Sequence, residues 1–328
     1  MTKATIAAVI PVYNAEKYLD EFIESLNRQV VRPHQIIFVD DGSTDGTADH
    51  LLKLTQKFDY ELITTQNHGV SHARNVGMKR VVSDYVTFLD ADDEISPNFF
   101  NVFEELIKNN ADVELLSATY TTDNSEFASK KDKIILESTV ESGDEILAAT
   151  LSGRMISGSP HAKLFQFDII RENNIEFDEN MTFYEDFDFF VRFVNVSRKV
   201  LLNGSMLYYY RQNSNSVMYQ KFGKSRENSR VIEEQKIVSM SEKKPYLKVP
   251  VQLKRYNTAF DHLSLQYYSN GEFDSSSRDM INTIKQTQVT SFISKNVQRS
   301  QRIKAGMSLM LGPKFAVKLL YRLKRSRV

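Results

Sequence analysis

The sequence of 328 residues contains no cysteine. Thiol nucleophiles, thiolate metal sites and disulfide-stabilised scaffolds are therefore excluded. The sequence also lacks any uninterrupted apolar run near the ~18 residues that a membrane-spanning helix requires. The apolar residues 4–10 follow Lys3 and imitate a signal peptide, but Pro11 ends the run, and a buried first strand explains it better. We therefore expect a soluble, cytoplasmic protein with enough chain to bury a substantial core.

Net charge is also absent, with 42 Lys and Arg residues against 42 Asp and Glu residues. This balance conceals a division of the chain, because no acidic residue follows Asp279. The first 294 residues carry 32 basic and 42 acidic side chains, whereas residues 295–328 carry ten basic ones. An acidic globule is thus followed by a basic segment, a pattern that indicates a binding partner for that segment.

Residues 1 to about 120 alternate apolar runs typical of buried strands with amphipathic patterns typical of helices. One helix is expected to begin at Ser96-Pro97, a cap residue followed by proline at the first helical position. The alternation predicts an α/β fold with a Rossmann-like, mostly parallel sheet flanked by helices on both faces. Such sheets bind ligands beyond the carboxyl ends of their strands. The predicted strands are residues 6–12, 36–39, 60–64, 85–89 and 112–118.

The remainder of the chain is less regular. Residues 121–160 are mixed and weakly patterned, and their Ser-, Thr-, Lys- and Asp-rich start is expected to form an exposed connection. A second compact segment is expected from about 158 to 217, with a helix near 183–194 and a strand near 200–210. From residue 218 the pattern is helical and polar. The predicted organisation is an α/β domain, a helical extension and a basic amphipathic segment, over residues 1–217, 218–294 and 295–328.

Two predicted strands end in acidic clusters, at Asp40-Asp41 and at Asp90, Asp92 and Asp93. Neighbouring ionised carboxylates repel one another unless a cation is present. A hard divalent ion would relieve the repulsion and complete its coordination with phosphate oxygens and water. The alternative is ordinary turn chemistry, with an Asp or Thr capping the next helix. The two clusters at neighbouring strand ends favour a diphosphate site.

Arg74 lies near the start of a helix that follows the third strand, where both the helix N-terminus and the guanidinium favour anions. Other interpretations are that Arg74 pairs with an Asp of the 90–93 cluster and that Ser71 caps the helix. His68 and His72 are expected to be surface or hydrogen-bonded residues rather than metal ligands.

One acid falls on the apolar side of the helix near 183–194. At about 100° per residue, Asp186 lies inside the apolar arc, whereas Glu185, Asp188 and Arg192 point away from it. A carboxylate on a buried face is paired, has a raised pKa or faces a cavity, which is the setting of a general base. The alternative is that these acids stabilise the helix N-terminus.

The combination of these motifs resembles the family 2 glycosyltransferases. The resemblance covers roughly residues 5–217 and implies the GT-A fold, a nucleotide-sugar donor and a Mn²⁺ or Mg²⁺ cofactor. The motifs that carry it are Ile-Pro-Val-Tyr-Asn at 10–14, Val-Asp-Asp-Gly-Ser-Thr-Asp at 39–45, Gly-Val-Ser-His-Ala-Arg-Asn at 69–75, Asp-Ala-Asp-Asp at 90–93 and Glu-Asp at 185–186.

The resemblance implies a nucleotide pocket on the first strands. Pro11, Val12 and Tyr13 would line the site of the base, and Asp41 would bond the uracil-like edge. Asn67 would contact the nucleotide.

The same resemblance implies the residues of the reaction. Arg74 would contact the diphosphate and Asp90 would lie near the ribose. Asp92 would be the principal metal ligand, and Asp186 would be the catalytic base with Glu185 beside it.

Two further segments match the family. Residues 160–164 resemble a segment near the sugar and acceptor, where relatives often carry Trp in place of His161. Tyr210-Arg211, with Asn213, Ser214 and Ser216, resembles a loop that closes over the diphosphate.

The activity implied is transfer from a UDP-sugar to a hydroxyl of a saccharide, lipid-linked or polymer acceptor, with inversion, in cell-surface polysaccharide synthesis. The alternative is a non-catalytic partner subunit, against which intact Asp92, Asp186 and Arg74 argue. A dinucleotide oxidoreductase or a nucleotidyltransferase is disfavoured, because the Gly-x-Gly-x-x-Gly and Gly-Lys-Ser/Thr phosphate motifs are absent.

The basic segment predicts an amphipathic helix over residues 314–325, with a similar apolar stripe upstream at Ile303, Met307, Met310 and Leu311. Such a helix is typical of an anionic membrane surface, which would place the protein on the inner face of the cell membrane. The alternative is packing on the acidic body through the same apolar face. Nucleic acid is not an expected partner, because basic stripes interleaved with aromatic residues are absent elsewhere. The basic stripe is Lys314, Lys318, Arg322 and Arg325, and the apolar stripe is Phe315, Ala316, Leu319, Leu320 and Leu323.

Overall fold

The computed structural model describes residues 4–55, 59–154, 156–212, 223–295 and 297–325. They form two compact units. Unit 1 is built from Met1–Asp144, Gly158–Glu179 and Glu185–Asn213. Unit 2 is built from Glu145–Ser157, Asn180–Tyr184 and Ser214–Val328. The division into residues 1–217, 218–294 and 295–328 stays a prediction.

The strands of the described residues all belong to one sheet in unit 1. They are β1 (Ile6–Val12), β2 (Gln35–Asp40), β3 (Glu61–Thr64), β4 (Tyr85–Phe88), β5 (Glu94–Ile95), β6 (Leu115–Thr121), β7 (Ser138–Glu141), β8 (Lys163–Gln166) and β9 (Val200–Tyr209). Their order is β3-β2-β1-β4-β8-β6-β9-β5, and β7 pairs with β9.

The helices of the described residues surround this sheet or build unit 2. They are α1 (Glu16–Asn27), α2 (Thr47–Thr55), α3 (Val70–Met78), α4 (Phe99–Asn109), α5 (Asn124–Lys130), α6 (Gly143–Leu151), α7 (Phe167–Glu172), α8 (Glu185–Val196), α9 (Lys224–Lys243), α10 (Lys248–Asn270), α11 (Ser277–Ile293), α12 (Arg299–Leu311) and α13 (Pro313–Arg325). A 3-10 turn at Pro245–Leu247 separates α9 from α10.

The pairing confirms the predicted α/β fold with a mostly parallel sheet. β1, β2, β3 and β4 are mutually parallel, and β6 and β9 run the same way. β5, β7 and β8 run in the opposite direction. β1 is buried at every position, because its seven apolar residues are covered on both faces.

The structure differs from the sequence prediction in two places within the sheet region. The strand predicted at 112–118 begins at Leu115, and although it runs in the same direction as β4 it is not the neighbour of β4, because β8 lies between them. The start of residues 121–160, predicted as an exposed connection, contains α5, and β7 and α6 follow it. These elements are short, so their hydrophobic periodicity is too brief to identify them from sequence.

Unit 2 has a helical core of its own, formed by residues of α10, α11, α12 and α13. The apolar stripe predicted for α12 is not its buried face, since its buried residues are Ala305, Gly306 and Ser308. In α13 the predicted apolar stripe is divided, because Ala316 is buried and Phe315 is exposed. Among the described residues, no helix combines the length and the apolar character needed to cross a bilayer.

The packing of α3 on the sheet depends on the absence of a side chain at Gly77. A methyl group there would lie 2.5 Å from Val9 Cγ1 and 3.3 Å from Val39 Cγ2. Both valines belong to buried strands and have little room to move. We expect Gly77→Ala to lower the free energy of unfolding by about 1–3 kcal/mol, measured by urea titration.

The matched control is Gly204→Ala, where the nearest neighbour of the added methyl group is Ile135 Cδ1 at 3.6 Å. This is an ordinary contact, so the free energy of unfolding should stay within about 0.5 kcal/mol of wild type. Equal losses in the two variants would contradict the packing argument.

Candidate active site

The parallel strands of unit 1 bring the acidic segments to one edge of the sheet. Val12, at the end of β1, pairs with Asp40 at the end of β2. β4 lies on the other side of β1 and ends just before residues 90–93. Both segments therefore emerge where open α/β sheets bind their ligands.

Arg74 connects two acids at this edge. Its side chain is only 3% exposed. Nη1 donates to Asp186 Oδ1 at 2.6 Å and Nη2 donates to Asp90 Oδ1 at 3.0 Å. Burial opposes the charged form, but the charges of Asp186 and Asp90 outweigh it and raise the pKa of Arg74. The predicted pairing with an acid of the 90–93 segment is therefore present, and the acid of α8 joins it.

The position of Arg74 is fixed by its neighbours on α3. The amide side chain of Asn75 accepts from the Phe177 backbone N–H and donates to the Phe177 carbonyl, both at 2.8 Å. The Arg74 guanidinium carbon lies 5.1 Å from the centre of the Phe177 ring. Gly69 precedes the helix with φ +95°, a left-handed conformation that glycine adopts without strain. The helix is thus held at both its start and its buried face.

Burial and charge shift the pKa values of the acids near Arg74 in different directions. Burial disfavours the ionised form of Asp90, but the charge of Arg74 outweighs it and lowers the pKa. Burial raises the pKa of Asp186, and Arg74 offsets this only in part. Burial and the charge of Asp186 raise the pKa of Glu185 to about 8. Asp90 is therefore a fixed anion, whereas Asp186 retains the proton affinity of a base.

Asp93 is a structural member of the acidic segment. It is 1% exposed. The Tyr208 hydroxyl donates to its Oδ2 at 2.6 Å, and the Arg211 backbone N–H donates to its Oδ1 at 2.8 Å. The Tyr208 hydroxyl also accepts from the Asp90 backbone N–H at 3.2 Å. These bonds fix the acidic segment to the end of β9.

The acidic segment fits a divalent ion. One ligand atom from each of Asp90, Asp93 and His161 lies within 4.8 Å of the others. Arg74 binds Asp90, and both oxygens of Asp93 have donors, whereas Asp92 has no side-chain hydrogen-bond donor among the described residues. Burial and the charge of Asp90 raise the pKa of Asp92 to about 6. Ionisation of Asp92 is therefore unfavourable, and a bound cation would favour it. The oxygen donors fit Mn²⁺ or Mg²⁺. Asp92 is not a member of the cluster of Asp90, Asp93 and His161, and its role as the principal metal ligand stays a prediction.

His161 lies beside this segment as a neutral ring. Its imidazole is stacked between Tyr208 and Tyr210, with ring centres 5.3 and 5.1 Å away. Burial lowers its pKa to about 4. Nε2 lies 3.7 Å from Asp90 Oδ2, and the buried Nδ1 has no hydrogen-bond partner among the described residues. His161 thus has an aromatic stacking role at the end of β9.

Lys163 is a buried amine behind His161. Its side chain is 1% exposed, and Nζ donates to the carbonyls of Ser159 at 2.7 Å and His161 at 3.3 Å. The amine also lies 5.2 Å from the centre of the Phe190 ring. Burial lowers its pKa to about 7, although the charge of Asp186 partly offsets the effect.

The residues predicted to bind the nucleobase lie near the first strands in different settings. Pro11 and Val12 are buried in β1, whereas Tyr13 and Asn67 are exposed. Asp41 is buried and accepts from the Thr65 hydroxyl at 2.8 Å and from the backbone N–H groups of His68 and Gly69 at 3.1 and 2.6 Å. Its carboxylate therefore organises the 65–69 loop, and its contact with a nucleobase stays a prediction.

Arg211 connects the acidic segment to α1. Nε donates to the Asp92 carbonyl at 2.8 Å, and Nη2 donates to Glu21 Oε2 at 2.5 Å. Its predicted contact with the diphosphate stays a prediction. Asn213, Ser214 and Ser216, which were predicted to continue this loop, lie outside the described residues.

Sequence reasoning did not identify the roles of Tyr208, Asn75 and Lys163. Tyr208 and Lys163 belong to strands with an apolar pattern. The Tyr208 hydroxyl bonds Asp93, which is far away in the chain, whereas the Lys163 amine bonds the nearby carbonyls of Ser159 and His161. The third carboxylate within residues 90–93, at Asp93, was the available signal, because one of several packed acids needs a buried donor.

A protein-family model for glycosyl transferase family 2 matches residues 7–173, just over half of the chain. The chain belongs to this family. The resemblance found from the motifs is therefore confirmed. The roles assigned to individual residues of this family 2 glycosyltransferase stay predictions.

Two curated relatives are similar over about two thirds of this glycosyltransferase. A teichoic acid poly(glycerol phosphate) polymerase of Staphylococcus epidermidis is 27% identical over 216 residues, which are 64% of this chain and 28% of that protein. Glycosyltransferase GlyG of Streptococcus pneumoniae serotype 4 is 26% identical over 233 residues, which are 66% of this chain and 74% of that protein. The matched region is thus little more than a quarter of the polymerase and three quarters of GlyG.

Among solved structures, the crystal structure of Staphylococcus aureus TarS 1–349 in complex with UDP-GlcNAc has a TM-score of 0.68. The match covers 98% of this chain and 92% of that chain, at 19% identity. At this identity the likeness concerns the fold, and it confirms the predicted GT-A architecture with its helical C-terminal region.

The burial of Lys163 makes the stability of the protein depend on pH. Its pKa is about 7 in the folded chain against 10.5 ordinarily, so the unfolded chain binds an extra proton between these values. The free energy of unfolding therefore gains a contribution that rises with pH. Relative to Lys163→Met, we expect wild type to gain about 2 kcal/mol from about pH 7 to about pH 9, in urea titrations.

The control is Lys108→Met, which removes an exposed amine paired only with Glu105 on the same helix. Its difference from wild type should not change over the same pH range. Parallel pH curves for wild type and Lys163→Met would contradict a depressed pKa at Lys163.

Proposed function

We propose that this family 2 glycosyltransferase transfers a sugar from a UDP-sugar to a hydroxyl of a saccharide, lipid-linked or polymer acceptor, with inversion. The observation that carries the proposal is Arg74, which joins Asp186 to Asp90 at the ligand-binding edge of the sheet. The pairing places one acid of α8 against the acidic segment that follows β4. The buried Arg74 guanidinium thereby connects the proposed donor site at Asp90 with the proposed base, Asp186.

Asp186 is the proposed general base. Its Oδ1 accepts from Arg74, which fixes the orientation of the carboxylate, and its side chain remains 25% exposed. The acceptor hydroxyl transfers its proton to Asp186 as its oxygen forms a bond to the anomeric carbon, and the bond from that carbon to the diphosphate oxygen breaks. Attack opposite the departing diphosphate inverts the anomeric centre. A raised pKa suits a base that must hold this proton.

The acids next to Asp186 and Asp90 have separate proposed roles. Asp92 would hold Mn²⁺ or Mg²⁺, whose charge would offset that of the diphosphate. Asp90 is held by Arg74 and is proposed to lie near the ribose. Glu185, with a pKa raised to about 8, is proposed to contact substrate beside the base.

The nucleotide pocket is proposed from the first strands. Pro11, Val12 and Tyr13 would line it, with Asn67 at its exposed rim, and the loop that Asp41 organises would form its floor. Arg211 is proposed to contact the diphosphate, because its guanidinium lies against the Asp92 carbonyl.

The choice of donor and acceptor class follows the relatives. TarS was solved with UDP-GlcNAc, and the Staphylococcus epidermidis relative is a teichoic acid polymerase. These support a UDP-sugar donor and an acceptor in cell-surface polymer synthesis. The proposed location is cytoplasmic, at the inner face of the cell membrane.

Replacement of the base should remove transfer and leave donor binding intact. We expect Asp186→Asn to lower kcat/KM by about 10²–10⁴-fold, because the acceptor proton loses its receiver. Nucleotide release from a panel of UDP-, GDP- and dTDP-sugars with Mn²⁺ measures the rate. Calorimetric titration with UDP should give wild-type affinity.

The matched control is Asp168→Asn, which removes an exposed carboxylate paired with Arg171 on α7 and should leave the rate unchanged. Undiminished turnover of Asp186→Asn would exclude Asp186 as the base. Absence of turnover in wild type with every donor and acceptor class would favour a partner subunit.

The positioning role of Arg74 predicts a shift in the pH profile. Without the cation the pKa of Asp186 rises, so the base is protonated at a higher pH. We expect the acid limb of kcat/KM for Arg74→Met to move to higher pH by about 1 unit or more. Arg74→Lys keeps the charge and should restore most of the wild-type profile.

The control for this profile is Arg80→Met, an exposed arginine paired with Glu61. A direct diphosphate contact by Arg74 would give a different result, with weaker UDP binding and an unmoved acid limb. That outcome would contradict the positioning role.

A further inference from the structure

Two helices of unit 2, α12 and α13, pack through small side chains. The buried residues of α12 are Ala305, Gly306 and Ser308, and α13 contributes Ala316 to the same core. A methyl group at Gly306 would lie 3.1 Å from the Phe292 ring on α11, so the helices approach closely there. Val317 of α13 belongs to the same core, and Met307 and Leu320 are partly buried against it.

Other large apolar side chains of α12 and α13 are exposed. Met310 is 78% exposed and Phe315 is 53% exposed. Ile303, Leu309 and Leu311 are exposed as well. A single exposed apolar residue is ordinary, but several of them close together in the chain indicate an interaction surface. Four of these five lie within residues 309–315, on either side of the Gly312–Pro313 turn.

A basic row runs beside them on α13. Lys314, Lys318 and Arg322 are exposed and recur at every fourth position, so they share one face of the helix. Phe315, which is exposed, and Leu319, which is partly buried, each follow one of these cations in sequence and therefore form the adjacent row. The Lys314 and Lys318 amines lie 5.3 and 5.9 Å from the centre of the Phe273 ring, which orients them while they remain exposed. The interfacial face is defined here as Leu309, Met310, Leu311, Phe315 and Leu319 with Lys314, Lys318 and Arg322.

We propose that the interfacial face docks on an anionic lipid bilayer. The cations select a negatively charged partner, and no acidic residue follows Asp279 to neutralise them within this segment. The exposed Met310 and Phe315 require an apolar phase, which lipid acyl chains supply. A soluble polyanion would satisfy the cations alone. A second copy of the chain would bring two basic rows together, and like charges repel.

This arrangement combines the two alternatives that the sequence left open. Ala316 and Val317 face the core of unit 2, so α13 is packed. Phe315 lies on the other side of the same helix, so the surface that lipid would contact stays exposed when α13 is packed. The inference concerns lipid binding alone and does not depend on the transfer reaction.

Flotation of the full chain with vesicles tests the proposal. The vesicles are phosphatidylcholine alone or phosphatidylcholine mixed with phosphatidylglycerol. Wild type should float with the anionic vesicles and stay behind with the neutral ones. Two double variants should each bind anionic vesicles at least about tenfold more weakly than wild type. The apolar variant is Met310→Ser with Phe315→Ser, and the charge variant is Lys318→Glu with Arg322→Glu.

Matched controls replace exposed residues of unit 1 and should bind as wild type does. Val30→Ser with Val82→Ser matches the apolar variant, and Lys53→Glu with Lys108→Glu matches the charge variant. Circular dichroism melting curves establish that all variants are folded.

Three outcomes would overturn the proposal. Wild type that does not float with anionic vesicles excludes lipid docking. Full binding by the apolar variant, with loss only in the charge variant, identifies a purely ionic site for a soluble polyanion. A wild-type dimer in sedimentation velocity that Met310→Ser with Phe315→Ser dissolves, without vesicle binding, identifies a second copy as the occupant.

Discussion

A single guanidinium buried between two carboxylates is the interaction on which the site depends. Arg74 comes from α3, Asp90 from the segment after β4 and Asp186 from the start of α8. Removal of Arg74 would leave two carboxylates without their shared cation, and the loss of one partner from a buried ion pair typically costs about 3–5 kcal/mol. The triad therefore constrains the edge of the sheet and two helices together, and any backbone change that separates these elements is opposed electrostatically.

The acidic segment after β4 divides its carboxylates among different tasks, and this division follows from which donors reach them. Asp93 accepts hydrogen bonds from the Tyr208 hydroxyl and the Arg211 backbone N–H, so it supports the loop, and burial with the charges of Asp90 and Asp92 raises its pKa. Asp90 is bound by Arg74 and stays ionised. Asp92 combines a raised pKa with a carboxylate that receives no hydrogen bond from another side chain among the described residues. Similar residues in one short segment thus acquire distinct chemistry from their surroundings.

The sequence predicted the local parts of this site well, because strand ends, helix starts and apolar arcs are set by neighbouring residues. The strands up to β4 and the paired, partly buried state of Asp186 are of this kind. The ring stacking of His161 and the bonds of Tyr208 depend on segments far apart in the chain, which no local pattern records. Asp188 was predicted to point away, yet it is buried and bound to Arg192. A helical-wheel projection gives the direction of the Asp188 side chain but does not show that the Arg192 side chain covers it.

The wrong prediction of the buried face of α12 has the same cause, since a local pattern does not show which neighbours pack against a helix. An amphipathic pattern assigns the largest apolar residues to the interior, since they gain most from burial. In α12 and α13 the fully buried residues are small or medium-sized and include Ala305, Ala316 and Val317, because close helix contact limits the space there. Different residues of the same helix therefore form the packed face and the exposed face. Met310 and Phe315 lie outside the core of unit 2 and remain exposed.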